Sequence, residues 1–135
     1  YKLKNGSYHF GFIKARKKIA SVYNKALKKF SKQITLPSDS KNFSSSWHIY
    51  VIRLKGGLVK KRAEIFKKLR EAGIGVQVHY IPVYLHPYYQ SLGYKKGLCP
   101  KAEAYYDSAI SLPIFPDLSL KDQNFVIKNL IQFLS

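Results

Sequence analysis

Methionine is absent, cysteine occurs once, and only 7 of the 135 residues are acidic. Each scarcity excludes something. The lone Cys99 cannot form an internal disulfide and cannot by itself build a metal site. No apolar run approaches the roughly 20 residues that a membrane-spanning helix needs. The segment Tyr1–Phe10 is mixed and polar, without a secretory pattern. The expectation is a cytoplasmic protein with no membrane partner. A free gene product begins with methionine, and its removal requires a small second residue, which Tyr1 is not. The chain is therefore expected to begin inside a longer protein. A GxSxG nucleophile elbow and a P-loop are both missing.

What is present suffices for one packed domain, since 46% of the residues are hydrophobic. The formal net charge is +17. A surface so basic attracts phosphates, on nucleic acid, on anionic lipid or on a nucleotide sugar. Its lysines are spread over Lys14–Lys32, Lys55–Lys68 and Lys95–Lys101. Base reading favours arginine, and no RRM, KH or helix-turn-helix signature is present. The bland reading is a lysine-rich proteome with acidic sequence upstream of this stretch; that, or nucleotide phosphates as partner, outweighs a basic nucleic-acid-binding module.

Periodicity orders the chain. Residues 12–30 predict a helix, with Ile13, Lys17, Ala20, Asn24 and Leu27 on one stripe and Ile19, Val22, Tyr23, Ala26 and Phe30 widening it. Pro37 and five serines make 35–46 a loop. Residues 47–54 predict a central strand covered on both faces. Residues 59–72 predict an amphipathic helix with Glu64 and Lys68 at i, i+4, stopped by Gly73. Residues 74–80 predict a second strand, 81–94 an irregular aromatic loop, and 100–108 a helix opened by Pro100. Residues 109–112 predict a short edge strand. Ser119-Leu120-Lys121-Asp122 resembles a capping box opening a last helix. The fold class is α/β (α+β), with helices against about three strands.

Chemistry concentrates in Gly73–Tyr89. A strand would deliver His79 and Tyr80 to its end, and a proline-punctuated loop would present Tyr84, His86, Tyr88 and Tyr89. Tyrosine can stack on a uracil or sugar face and still offer a hydroxyl. The bland alternatives are a satisfied, part-buried histidine and an aromatic cluster under a loop. A zinc site from His48, His79 and His86 matches no metal-ligand spacing, so no metal is expected. Cys99 sits among Lys95, Lys96 and Lys101, which would favour its thiolate, but no histidine is near it in sequence.

Four segments, in order, resemble the DegT/DnrJ/EryC1/StrS family of nucleotide-sugar aminotransferases. Phe12-Ile13-Lys14-Ala15-Arg16-Lys17-Lys18-Ile19-Ala20 is similar to the family's F-I-x-x-R-R-x-I-A helix. Ser46-Trp47-His48-Ile49-Tyr50-Val51-Ile52 resembles S-x-H-x-Y-x-I, and His79–Tyr89 resembles H-Y-x-P-x-H-x-x-P-x-Y. Pro100-Lys101-Ala102-Glu103 and Ser111–Pro116 resemble P-x-A-E and S-L-P-x-x-P. Tyr84 departs from the pattern, standing where the family often has histidine.

The resemblance implies the small C-terminal domain of a fold-type I enzyme, spanning 12–135, with 1–11 unmatched. It implies pyridoxal phosphate (PLP) as cofactor of the complete enzyme, held by a large domain that has no counterpart here, and a homodimer. None of the lysines lies in the family's Schiff-base context, so no catalytic residue is assigned and the chain alone is expected to be inactive. His79, Tyr80, Tyr84 and His48 are the expected substrate-binding residues. Within the family, Gly73–Pro82 most resembles members of the pseudaminic-acid pathway. Those move an amino group from glutamate to C4 of a UDP-4-keto-6-deoxy-N-acetylhexosamine. A remnant of a disrupted gene is the remaining alternative.

Overall fold

A computed structural model describes residues 10–38 and 44–134 of the chain. Of the unmatched segment 1–11, all but the last two residues lie outside the described residues, as does the middle of the serine-rich loop. Helix α1 runs Phe10–Leu27 and tightens into a 3-10 turn, Lys28–Phe30. It buries Ile19, Ala20, Tyr23 and Leu27, whereas Ile13 and Lys17, expected on the stripe, are exposed. Three strands follow: β1 Ile34–Thr35, β2 Tyr50–Leu54 and β3 Ala109–Leu112. They form an antiparallel sheet in the order β1-β2-β3, with Ile34 opposite Leu54 and Tyr50 opposite Leu112. An antiparallel sheet with separate helices makes the fold α+β.

The strand expected at 47–54 is central but begins only at Tyr50. Trp47 takes φ +51°, a conformation that breaks an extended run and is uncommon for a bulky side chain. Its ring is nonetheless buried, 5.8 Å from the Tyr50 ring, and its N–H donates to Ser45 Oγ at 3.0 Å. Only one face of β2 is fully covered: Tyr50, Ile52 and Leu54 are buried, while Arg53 is exposed. Helix α4, Pro100–Ser108, lies against β2 with Arg53 5.9 Å from the centre of the Tyr105 ring.

The second expected strand, 74–80, is a correction. The segment is extended, but it joins the sheet by one bridge, Gln77 opposite Ser111. The period-2 burial survives without the ladder: Ile74 and Val76 are buried, Gly75 and Gln77 exposed. β3 is accordingly not a bare edge, and all four of its residues are buried. The third strand is instead β1, whose second residue, Thr35, is the first of the stretch expected to be loop.

Helix α2, Arg62–Glu71, ends as its sequence dictates. Gly73 takes φ +80°, its N–H donates to Arg70 O, and the Ile74 N–H reaches back to Leu69 O, each at 2.9 Å. That is a complete Schellman stop, with Leu69 and Ile74 both buried beside it. Glu64 and Lys68 pair at 2.7 Å as expected. Helix α3, Pro87–Ser91, is a short turn within the segment expected to be irregular. Helix α5, Leu120–Leu134, is opened by Ser119, whose Oγ accepts the Asp122 N–H at 3.1 Å and donates to Asp122 Oδ2 at 2.6 Å. Its buried Gln123 donates to Ile19 O at 2.7 Å, pinning α5 to α1.

Helices α1, α2 and α5 and the sheet share one apolar core. Two tyrosines organise it. The rings of Tyr23 and Tyr50 lie 4.9 Å apart; Tyr23 donates to Pro113 O at 2.9 Å and Tyr50 to Asn24 Oδ1 at 2.6 Å. Burial pushes both phenols well above the ordinary tyrosine range, and at Tyr50 the neighbouring Tyr23 adds to it.

Truncating Ile52, fully buried on the central strand, to alanine is expected to cost about 2–5 kcal/mol. A urea midpoint shift at constant slope is the measurement that checks it. The tyrosines set an alkaline limit. Unfolded tyrosines ionise near pH ~10, whereas the native pair keeps its protons. The native state then binds more protons, and stability is expected to fall as pH rises past about 10. Tyr23→Phe should flatten that fall in melting curves taken across the same range.

Candidate functional site

The end of the sheet where β2 starts and β3 stops holds a small cleft of about 260 Å³. Its walls come from three segments: His48 and Ile49 leading into β2, Gly75, Gln77 and His79 from the extended segment, and Ser111–Ile114 leaving β3. The local geometry follows from the backbone. The Gln77 N–H donates to Ser111 O at 3.1 Å and the Ser111 N–H to Gln77 O at 2.8 Å. This bridge sets 77–79 alongside β3 and brings His79 Nδ1 to 2.8 Å from Ser111 Oγ. With Nδ1 committed to the serine, Nε2 is the nitrogen a ligand would meet. The bond from Tyr23 to Pro113 O fixes the opposite wall.

Of the four expected substrate-binding residues, the structure brings His48 and His79 into this cleft. Tyr80 does not line it; it is 73% exposed, with its ring edge-on to His79 at 4.6 Å between centres. Tyr84 is elsewhere. The 3-10 turn Val83–Leu85 points it inward, where it is 8% exposed. Its hydroxyl donates to Glu103 Oε1 at 2.7 Å and accepts the Cys99 N–H at 3.2 Å. The same Glu103 oxygen accepts the Gly97 N–H at 2.7 Å. This network fastens the 83–98 segment to α4. Desolvation, then the bond to Glu103, pushes the Tyr84 phenol up to about 12. The hydroxyl of Tyr84, then the Gly97 N–H, holds the Glu103 carboxyl below its ordinary range.

Sequence reasoning missed Gln77, Ser111 and Glu103 as functional positions. Ser111 and Glu103 sit in the family-like segments, but only the fold shows that one meets His79 and the other Tyr84. Among the described residues no three His, Cys, Asp or Glu side chains gather as metal ligands, and no helix is long and apolar enough to cross a membrane. A larger cleft, about 730 Å³, opens on the other face of the sheet around Trp47, Val51, Arg53 and Tyr105. Among the described residues its lining offers no imidazole and no carboxylate, so the smaller cleft is the better chemical candidate. No lysine or carboxylate lines that smaller cleft either. It can orient a polar ligand through imidazole, amide and hydroxyl groups, and it has no amine with which to hold PLP covalently.

Known proteins resemble the chain over nearly all of its length. The profile of the DegT/DnrJ/EryC1/StrS aminotransferase family matches residues 10–131. The spore coat polysaccharide biosynthesis protein SpsC of Bacillus subtilis is 38% identical over 120 residues, which are 85% of this chain and 30% of that protein. The UDP-4-amino-4,6-dideoxy-N-acetyl-beta-L-altrosamine transaminase of Campylobacter jejuni is 35% identical over 123 residues, 90% of this chain and 32% of the transaminase. Among solved structures, Helicobacter pylori PseC, an aminotransferase involved in pseudaminic acid biosynthesis, superposes with a TM-score of 0.80 at 27% identity. It is matched over 91% of this chain and 33% of its own. A Streptococcus pneumoniae protein classed with the sugar aminotransferases, in its PLP form, reaches 0.84 at 28%, over 91% and 31%. The chain thus spans about a third of the length of the proteins it matches.

The depressed Glu103 carboxyl makes a pH-dependent contribution of definite sign. An unfolded glutamate takes up its proton near pH ~4.3, before the native one does. The stabilisation is therefore complete above that pH and lost as pH falls through the lower native value. Glu103→Gln is expected to lower the melting temperature at pH 7 and to shrink the difference between pH 7 and pH 3. Thermal melts of both proteins at the two pH values measure this.

Proposed function

The chain belongs to the DegT/DnrJ/EryC1/StrS aminotransferase family, and from that premise we propose that its cleft is the substrate side of a PLP-dependent sugar aminotransferase. The observation that carries the reading is the His79–Ser111 pair, which lines the same cleft as His48. His79, oriented by Ser111, and His48 offer donors or acceptors to a sugar hydroxyl or a diphosphate oxygen. Gln77 adds an amide, and the exposed Tyr80 offers a face for stacking. These groups orient a substrate and do not break its bonds.

The amine chemistry needs PLP, which acts as an electron sink when bound. The cleft's lining does not fit a covalent PLP site, so that role falls to parts of the complete enzyme beyond these residues. The proposed substrate is a UDP-4-keto-6-deoxy-N-acetylhexosamine aminated at C4 with glutamate as donor. The Campylobacter and Helicobacter relatives support it. SpsC, at higher identity, is named for spore coat polysaccharide biosynthesis and not for this sugar. A cytoplasmic homodimer is the proposed setting of the complete enzyme.

The chain mixed with PLP and reduced with borohydride is expected to show no stoichiometric adduct on a single lysine by intact mass. Titration with UDP should reveal weak binding that His79→Ala or Ser111→Ala lowers roughly three- to tenfold, the worth of one hydrogen bond. A one-to-one lysine adduct, or UDP binding indifferent to both substitutions, would overturn the proposal.

A further inference from the structure

Charge is unevenly placed along this chain. Residues 1–63 contain 16 of the 24 basic residues and a single acid, Asp39. The fold collects part of that charge at one end. The Lys55 N–H donates to Gln33 O and Lys55 Nζ to Ser31 O, each at 2.8 Å. These bonds join the turn carrying Lys28, Lys29 and Lys32 to the start of the 3-10 segment Gly56–Lys61, which carries Lys60 and Lys61. All six lysines are exposed. The ion pairs among the described residues, Lys67–Glu71 and Lys68–Glu64, involve none of them.

This end lies at the finish of β2, whereas the cleft lies at its start. At about 3.4 Å per residue, the stretch from His48 to Lys55 separates them by roughly 20 Å. The lysines line none of the principal clefts, so they form a surface and not a socket for a small phosphate. The arginines that adjoin the set, Arg53 and Arg62, lie over the rings of Tyr105 and Tyr106 at 5.9 and 5.2 Å, packed against the domain's own aromatics and not extended to read base edges. The neighbouring aromatic ring, Phe30, is partly buried in the core and lies beneath Lys29 at 5.3 Å, so no platform for stacked bases is offered. Ammonium groups on flexible stems suit a delocalised negative plane better than a shaped partner.

We propose that the Lys28/Lys29/Lys32, Lys55 and Lys60/Lys61 end of the domain docks on an anionic phospholipid surface. This departs from the expectation of no membrane partner, which rested on the lack of a spanning segment: the domain rests against the headgroups without inserting, and no helix among the described residues is long and apolar enough to cross a bilayer. Each lysine at such a surface strengthens binding roughly fivefold, and salt screens the attraction. The cleft stays at the far end, open to solvent.

Co-sedimentation of the purified chain tests this, using phosphatidylcholine vesicles with and without about a third phosphatidylserine. Binding is expected only to the anionic vesicles, and 0.5 M NaCl should abolish it. The triple variant K28Q/K29Q/K32Q should bind on the order of a hundredfold more weakly. The variant K95Q/K96Q/K101Q, which removes the same charge elsewhere, should bind nearly as well as the parent, and melting curves should show both variants folded. Three results overturn the proposal: no binding to anionic vesicles, equal loss in the two triple variants, or displacement from vesicles by duplex DNA or RNA at stoichiometric phosphate. The last would make nucleic acid the partner.

Discussion

Two tyrosine hydroxyls buried under one helix hold this domain in register. Tyr23 and Tyr50 stack inside the core, and each must satisfy a polar group where water cannot reach. Their solutions tie distant parts of the chain together. Tyr50 ties the central strand to α1 through Asn24, and Tyr23 ties α1 to the chain leaving β3 through Pro113. The second bond spans 90 positions of sequence and ends on the wall of the candidate cleft. The site inherits its shape from a core requirement: if α1 shifted on the sheet, Pro113 would lose its donor and the wall would move with it.

Much of this architecture was legible in the residues, where local chemistry decides the outcome. The Schellman stop at Gly73, the Glu64–Lys68 pair, Pro100 at a helix start and Ser119 at another were all realised, because each depends on neighbours within one helical turn. The misreadings share a cause. At Trp47 an apolar alternation continues through a residue whose φ is positive, and backbone conformation is invisible to a pattern of hydrophobicity. Along 74–77 the pattern gave the burial correctly but not the pairing, and it fails at Tyr80, expected on the inward face with Ile74 and Val76 but 73% exposed. Alternation reports which side chain turns inward, whereas a ladder needs a partner edge over several residues. β1 is two residues long and owes its existence to β2, not to its own propensity.

The site divides in the same way. His48 and His79 could be picked from the sequence because their type and the family-like segments around them mark them. That they share a cleft depends on the Gln77–Ser111 bridge, a contact between residues 34 apart. Tyr84 shows the converse. Its place within an aromatic loop suggested a ligand contact, and the fold spends its hydroxyl on Glu103 and Cys99. Nothing in the spacing of Tyr84 and Glu103 announces the pair, since the turn at 83–85 and the start of α4 must both be in place before they meet.

The clasp of Tyr84 on Glu103 has a bearing on how the 83–98 segment would behave as acidity changes. The family-like pattern has histidine at the Tyr84 position, the one side chain that ordinarily gains or loses charge near neutrality. Here the clasp is built from a phenol held above its usual range and a carboxyl held below. Neither partner changes its proton count between mildly acidic and mildly alkaline solution. The fastening that carries the 83–98 segment therefore keeps one charge state over that whole interval, and a change of acidity within it does not loosen the clasp.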